Sequence, residues 1–116
     1  MRSKTSYSTG LWAEFIARWY LRIHGFRILH NRYVTGRNTR RAEIDIIARR
    51  DNLIVFVEVK RRKTLQCACD AITPTQVARL RRAAETYLGR IRWRGDARFD
   101  IIAICGMRVH WIKNGI

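Results

Sequence analysis

The spacing of apolar residues along the chain predicts two helices. Bulky apolar side chains recur every four residues from Leu11 onward, so residues 9–24 are predicted to form a helix. Thr73 and Pro74 have the residue types preferred at the N-cap and at the first helical position. Apolar residues continue from there at helical spacing, which predicts a second helix over residues 74–89.

Shorter apolar segments predict five strands. The second and third strands lie on either side of the turn-forming residues Asp51 and Asn52, so they are predicted to form a hairpin. The element order is then helix, three strands, helix, two strands, with basic loops at 61–70 and 90–97. This order predicts that residues 1–116 form a single α/β domain, a mixed β-sheet flanked by helices. The predicted strands are 26–34, 42–49, 53–60, 98–105 and 108–113.

The register of the hairpin places two carboxylates side by side. With a two-residue loop, Arg50 pairs with Leu53, and counting back along both strands sets Asp45 opposite Glu58. Opposite residues have Cβ atoms about 4.5–5.5 Å apart. Because side chains alternate between faces, Lys60 projects on the same side as Glu58. The carboxylates repel each other, and a divalent cation such as Mg²⁺ or Mn²⁺ would compensate them.

A salt-bridged protein surface is the alternative interpretation of these charges. Ile47, Ile54 and Phe56 fall on the same face as the charged residues, which is not expected of a solvated face. The spacing therefore favours a metal-dependent phosphodiesterase site over a simple surface ion pair.

The charge balance points to a polyanionic partner. The chain has 24 Lys and Arg against 9 Asp and Glu, a net charge of +15. Such an excess favours nucleic acid ahead of an anionic membrane surface, with a basic but merely soluble protein as the alternative. Loops 35–41, 61–66 and 90–98 are expected to form a basic rim around the carboxylates. The candidate nucleic-acid-binding residues are Arg37, Arg40, Arg41, Arg61, Arg62, Lys63, Arg79 and Arg82.

Other sequence features indicate a cytoplasmic protein. The N-terminal segment MRSKTSYSTG has no apolar run behind its basic residues, so it is not expected to be a signal peptide. No stretch approaches the roughly 18 consecutive apolar residues of a membrane span. The three cysteines lack zinc or redox spacing and are interpreted as free thiols in a reducing compartment.

The motif AEIDIIA…VFVEVKRRK closely resembles the YraN-like family, functionally uncharacterised bacterial proteins with the PD-(D/E)XK, or restriction-endonuclease-like, fold. The resemblance covers nearly the whole chain, including AEFIARWYLRIHGFRILHNRY and AITPTQVARLRRAAETYL. It implies that Asp45 and Glu58 are metal ligands, aided by the Val59 carbonyl, and that Lys60 is the catalytic lysine. Glu14 matches a further acid that archaeal Holliday-junction resolvases of this fold place before the hairpin.

The chain departs from the family pattern at three positions. Ala13 and Ala42 stand where the family usually has glycine, a change that would matter at a close backbone approach. Gln76 occupies a place where the family often carries lysine, so a role for it in the site is in doubt.

The sequence allows two roles for each of four further residues. Glu14 is either a site acid or a solvated side chain, since on a helical wheel it lies away from the bulky stripe. Glu43 either supports the site or pairs with an arginine. Asp100 is expected to orient Arg98 or nearby backbone rather than to bind metal. Trp93 either stacks on nucleic acid or anchors its loop.

These observations lead to a hypothesis of a Mg²⁺- or Mn²⁺-dependent endonuclease that hydrolyses DNA, branched or single-stranded. The alternative is a non-catalytic nucleic-acid-binding module on the same fold. A basic assembly protein on RNA would fit the charge but leaves Asp45, Glu58 and Lys60 unexplained, so DNA is favoured over RNA. No membrane partner is expected, and a homodimer is left open.

Overall fold

The computed structural model describes the backbone of residues 2–35 and 42–116 and the side chains from Gly10 onward within those ranges. The predicted order of helices and strands is confirmed, with one additional short helix between the third strand and the long second helix. The elements are α1 (Arg2–Ile23), β1 (Arg27–Thr35), β2 (Ala42–Arg50), β3 (Leu53–Arg61), α2 (Leu65–Asp70), α3 (Pro74–Arg90), β4 (Asp96–Cys105) and β5 (Arg108–Ile112).

The strands form one mixed sheet in the order β1-β2-β3-β4-β5. β3 and β4 are parallel, and each other neighbouring pair is antiparallel. A parallel pair needs a crossover connection, which α2 and α3 supply. The predicted fold class is confirmed, and this open sheet flanked by helices is compatible with a restriction-endonuclease-like fold.

The turns that set the register form as predicted. Asp51 has a φ of +52° between β2 and β3, and Arg50 pairs with Leu53. Gly25 follows α1 with a φ of +88°, a conformation that glycine adopts without a Cβ penalty. Thr73 accepts a hydrogen bond from the Gln76 N–H as the N-cap of α3, with Pro74 next to it.

Helices cover both faces of the sheet and create two buried clusters. On one face, Ala13, Ala17 and Leu21 of α1 pack in a cluster with strand residues that include Val57 and Ile102. On the other face, residues of α3 such as Leu80 pack with the strand residues whose side chains point away from α1. Both sides of β3 are therefore buried, so any charged residue in this strand has an apolar environment nearby.

The apolar stripe that predicted α1 is not the face that packs on the sheet. Phe15 is 48% exposed, Trp19 52% and Ile23 71%, whereas Ala17 and Leu21 are completely buried. The stripe correctly indicated a helix but was wrong as a guide to its buried side. Small alanine side chains let the helix approach the sheet closely, and this approach leaves the large side chains outside.

Two predicted loops differ in the structure. Residues 65–70 form α2 instead of a loop, because the Thr64 hydroxyl accepts a hydrogen bond from the Cys67 N–H and caps the helix. The loop after α3 lies beside the hairpin turn, where the Asp96 N–H donates to the Asn52 carbonyl at 2.7 Å. Asn52 is six residues from Glu58 along β3, about 20 Å at the usual rise per residue. The prediction that residues 90–98 border the carboxylates is therefore wrong.

Trp93 anchors this loop. Its Nε1–H donates to the Asp96 carbonyl at 2.9 Å, and the Arg49 guanidinium lies 4.6 Å from the ring centroid. The half-buried ring also packs against the cluster under α3. The structure thus favours the anchor over the nucleic-acid stacking interpretation.

The remaining general predictions concern cysteines and membrane spans. Cys67, Cys69 and Cys105 are free thiols, as predicted. Within residues 2–35 and 42–116, no helix is long and apolar enough to cross a membrane.

Candidate functional site

β2 leaves its ladder with β3 at Asp45. The two strands pair in the predicted register from Arg50–Leu53 as far as Ile46–Val57, but Asp45 and Glu58 are not backbone partners. Ile44 packs in the cluster under α3 and Ile46 in the cluster under α1, although two residues apart in a regular strand face the same side. The alternation of β2 side chains between the two faces of the sheet is therefore interrupted at Asp45. The Asp45 side chain does not follow the regular pattern of the strand.

Where β2 no longer pairs with β3, the Asp45 carboxylate accepts the hydrogen bond that a backbone carbonyl of β2 would otherwise accept from β3. Its Oδ2 accepts a hydrogen bond from the Val59 N–H at 2.9 Å. The N–H and C=O of one strand residue point toward the same neighbouring strand. The Val59 carbonyl therefore faces the gap that Asp45 occupies, which fits the ligand role implied for it by the family resemblance.

Glu58 is buried beside two nitrogen donors. Its side chain is only 4% exposed, and the Lys60 Nζ lies 3.4 Å from its Oε2. The Gln76 Nε2 of α3 also donates to this Oε2. Lys60 is itself mostly buried, with 18% of its side chain exposed. The structure thus brings Glu58 and Lys60 together as predicted and adds Gln76.

Asp45 and Glu58 are close enough to repel each other. Burial, and after it the negative charge of Glu58, raise the pKa of the Asp45 carboxyl well above its usual range. The hydrogen bond from Val59 acts in the opposite direction, and the charge of Glu14 adds to the increase in the pKa. At neutral pH the Asp45 carboxyl therefore retains a proton in the metal-free site, and a bound divalent cation would take the place of that proton.

Glu14 extends from α1 toward this site and is not solvated. The Arg32 Nε donates to Glu14 Oε1 at 2.9 Å, and the Glu14 side chain is 12% exposed. A second bond joins Arg32 Nη2 to Glu14 Oε2 at 3.3 Å. The solvated alternative for Glu14 is thereby excluded, while its catalytic role stays a prediction. Nothing in the sequence singles out Arg32, which has a φ of +52°.

The oxygen donors present suit a hard divalent cation. Two carboxylates and one backbone carbonyl would supply part of an Mg²⁺ or Mn²⁺ shell, and Mg²⁺ usually keeps several waters. Among the side chains that the structure describes, no group of three or more His, Cys, Asp or Glu residues is gathered for a metal ion. A cation here would therefore depend on Asp45, Glu58, Val59 and water.

Two cavities carry several of the predicted basic residues, and neither is lined by Asp45 or Glu58 themselves. One, of about 300 Å³, is lined by Glu43, Gln76 and Arg79 among others, with Glu43 exposed. The other, of about 410 Å³, is lined by Arg61, Arg62, Lys63 and Gly106.

Of the remaining predicted basic residues, the structure describes Arg82. This residue is exposed on α3, six residues after Gln76. Arg37, Arg40 and Arg41 lie outside the described residues. The segment after β3 lines one cavity and Arg79 the other, and the basic rim stays a prediction.

The family departures are accommodated locally. Ala13 and Ala42 are both buried in the clusters that cover the sheet, so a methyl group fits at each place. Gln76, whose role was in doubt from the sequence, contacts Glu58 directly. Gln76 lies in the first turn of α3, three residues after the Thr73 N-cap, and this position alone gives no signal of the contact with Glu58.

Asp100 is a structural residue, as predicted. It is completely buried and accepts hydrogen bonds from Arg98, Trp111 Nε1 and the Asn114 N–H, each at 2.8 Å. These described partners are all donors, and none of them belongs to the Asp45–Glu58 pair.

Comparison with known proteins identifies the family. The sequence model of the uncharacterised protein family UPF0102 matches residues 13–104. A UPF0102 protein of Bartonella quintana is 41% identical over 110 residues, which cover 93% of this chain and 87% of the relative. A UPF0102 protein of Shewanella denitrificans is 39% identical over 110 residues, covering 91% and 96%. One of Brucella canis is 38% identical over 115 residues, covering 97% and 86%. With the YraN-like resemblance thus confirmed over most of its length, the chain belongs to the UPF0102 family.

Proposed function

We propose that this protein is a metal-dependent nuclease that hydrolyses phosphodiester bonds in DNA, with Mg²⁺ or Mn²⁺ as its cofactor. The observation that carries the proposal is the meeting of Asp45, Glu58 and Lys60 where β2 leaves the ladder. A carboxylate pair beside a lysine, in a strongly basic chain, suits a site that binds a cation and a phosphate together.

Each residue of the site has a distinct part in the proposed reaction. A divalent ion bound there would polarise the phosphate and activate a water molecule. The Val59 N–H positions the Asp45 carboxylate by a hydrogen bond, and the Gln76 side chain of α3 positions the Glu58 carboxylate in the same way. The Lys60 Nζ, 3.4 Å from the Glu58 Oε2, is placed to stabilise negative charge that develops on the phosphate.

The basic residues next to the site favour a nucleic-acid substrate. Arg61, Arg62 and Lys63 follow Lys60 directly and are exposed, and Arg79 lies in the cavity beside Gln76. Such residues attract the phosphate backbone without regard to sequence, and binding should weaken steeply with salt. The chemistry therefore matches DNA better than a small neutral substrate.

Cleavage of a DNA panel tests the proposal. Wild type is incubated with duplex, flap, junction and single-stranded DNA in Mg²⁺ or Mn²⁺, beside Asp45→Ala, Glu58→Ala and Lys60→Ala. We expect cleavage by wild type and at least a hundredfold slower cleavage by each variant, about the effect of one preorganised electrostatic group.

Two matched controls remove charge away from the site. Glu85→Ala, on the exposed side of α3, loses a carboxylate, and Arg94→Ala, in the loop at the far end of β3, loses a cation. Both should cut like wild type. Equal residual cleavage by all proteins would identify a contaminant, and DNA binding without cleavage would support the non-catalytic module instead.

A further inference from the structure

The outward face of α1 carries large apolar side chains that cover no core. We call Trp12, Phe15 and Trp19 the α1 aromatic face; these side chains are 46%, 48% and 52% exposed. Leu11 and Ile23 extend the same surface and are 40% and 71% exposed. A contiguous exposed surface of this kind marks an interaction site more often than a chance arrangement.

Each ring of this face has a guanidinium group near it. Arg18 lies 6.0 Å from the Phe15 ring centroid, and Arg22 lies 5.6 Å from a ring of Trp19. Arg61 of β3 lies 5.0 Å from a ring of Trp12. Alternation of rings and arginines suits a ligand that offers flat bases to the rings and phosphates to the cations.

The charge of the face favours a polyanion over a second copy of the chain. Glu14 is the one acidic residue between Gly10 and Ile23, and it is paired with Arg32 at 2.9 Å. A symmetric contact between two copies would therefore bring Arg18 and Arg22 of each copy together without acids to compensate them. A nucleic-acid strand supplies the missing negative charge.

The aromatic face is also continuous with the candidate site. Arg61, which covers Trp12, comes directly after Lys60 in the sequence. A strand whose phosphate lies at Lys60 can thus extend past Arg61 onto α1.

We propose that the α1 aromatic face binds a single-stranded DNA segment by stacking unpaired bases on Phe15 and Trp19, with Arg18 and Arg22 on the flanking phosphates. The proposal rests on the proposed function, because it names the form of substrate that the same site would act on. It predicts a preference for DNA that contains unpaired bases.

Binding measured in EDTA tests the face apart from cleavage. The probes are fluorescent oligo-dT and a blunt duplex of the same length, followed by anisotropy. Phe15→Ala/Trp19→Ala should bind oligo-dT at least about tenfold more weakly, since each stacked base contributes about 1–3 kcal/mol. Its affinity for the duplex should stay within about twofold of wild type. Phe15→Tyr/Trp19→Phe retains the rings and should bind like wild type.

Leu11→Ala/Ile23→Ala is the matched control, since it removes exposed apolar groups without removing a ring. It should leave oligo-dT binding unchanged. All variants replace exposed residues, and thermal melts should confirm that they fold. An equal loss of oligo-dT and duplex binding by the ring-free variant, or an equal effect of the control, would overturn the proposal.

Other occupants of the face give different results. If wild type is a dimer that Phe15→Ala/Trp19→Ala converts to a monomer in ultracentrifugation, the face is a contact between copies and the proposal is wrong. Loss of binding to anionic phospholipid vesicles, with oligo-dT binding intact, would also overturn it. Ring-dependent oligo-dT binding by a protein that cuts no DNA would support the stacking face while contradicting the nuclease function.

Discussion

The sheet contains two groups of carboxylates on neighbouring strands, Asp100 and the Asp45–Glu58 pair. Hydrogen-bond donors surround Asp100, whereas each carboxylate of the pair lies beside the other. Asp100 has the strand parity of Ile102, which packs under α1, whereas Glu58 receives Gln76 from α3 on the other face. Asp100 is surrounded by donors: two bonds from Arg98, one from Trp111 and one from Asn114. A buried charge with this many partners contributes to a defined structure.

The Asp45–Glu58 pair has a different balance of charge. Asp45 has the Val59 N–H, and Glu58 has Lys60 and Gln76, but each carboxylate also faces the other. The pair therefore raises the free energy of the folded protein, as the raised pKa of Asp45 indicates. The comparison teaches that burial alone does not mark a functional acid. What distinguishes the pair is that its two carboxyl groups cannot both be ionised without cost unless a bound cation compensates them.

The largest expected effect is at Asp100. Asp100→Ala leaves Arg98, which is 24% exposed, without its carboxylate, and it leaves two further donors without an acceptor. We expect the free energy of unfolding to fall by about 3 kcal/mol, as when one partner of a buried ion pair is removed. Urea denaturation measures the change. Asp96→Ala, exposed at the start of the same strand, is the control and should change it by less than about 0.5 kcal/mol.

The next effect separates cleavage from binding at Lys60. Lys60→Ala should slow cleavage about a hundredfold, about 2.7 kcal/mol of transition-state stabilisation, and change DNA affinity by no more than about threefold. One cation among 24 Lys and Arg contributes little to affinity. Lys60→Arg should not restore the rate, because the planar guanidinium differs in shape and keeps its proton. Single-turnover kinetics and anisotropy measure the two quantities, and a parallel loss of both would assign Lys60 to binding.

The same substitution should have opposite effects on the two carboxylate regions. Asp45→Asn removes the repulsion with Glu58 and should raise the free energy of unfolding of the metal-free protein by about 1 kcal/mol. Asp100→Asn should lower it, since its partner Arg98 is a cation. Denaturation in EDTA measures both.

Titration calorimetry compares metal binding by the same two variants. Asp45→Asn should lose Mg²⁺ or Mn²⁺ binding while Asp100→Asn retains it. If wild type binds neither ion, with or without DNA, the non-catalytic module becomes the better proposal.

The smallest effect is expected at Gln76. Gln76→Ala removes one donor from Glu58, but Lys60 remains, so the free energy of unfolding should fall by about 0.5 kcal/mol. Gln76→Lys supplies a cation at the same place and should restore or exceed the wild-type value. A loss as large as that of Asp100→Ala would mean that Glu58 is a structural carboxylate like Asp100.

Local patterns in the sequence determined the elements and the hairpin register. Thr73 and Pro74 start α3 because the cap and the fixed φ act within one turn, and Asp51 sets the turn because it tolerates a positive φ. Two-residue alternation then places Glu58 and Lys60 on the same side of β3. The role of Asp100 was also anticipated, since Arg98 lies two positions away on the same side of the strand.

Tertiary structure decided what packs against what. Only the approach of α1 to the sheet determines that Ala13 and Ala17 are buried while Phe15 and Trp19 are exposed, because close packing depends on the opposing surface as well as on the helix. The contacts of Glu14 with Arg32 and of Glu58 with Gln76 each join residues 18 positions apart. The break in β2 at Asp45 likewise has no local signal, since it depends on where the strand parts from β3. Sequence periodicity reports one element at a time, whereas these contacts exist only once several elements have packed together.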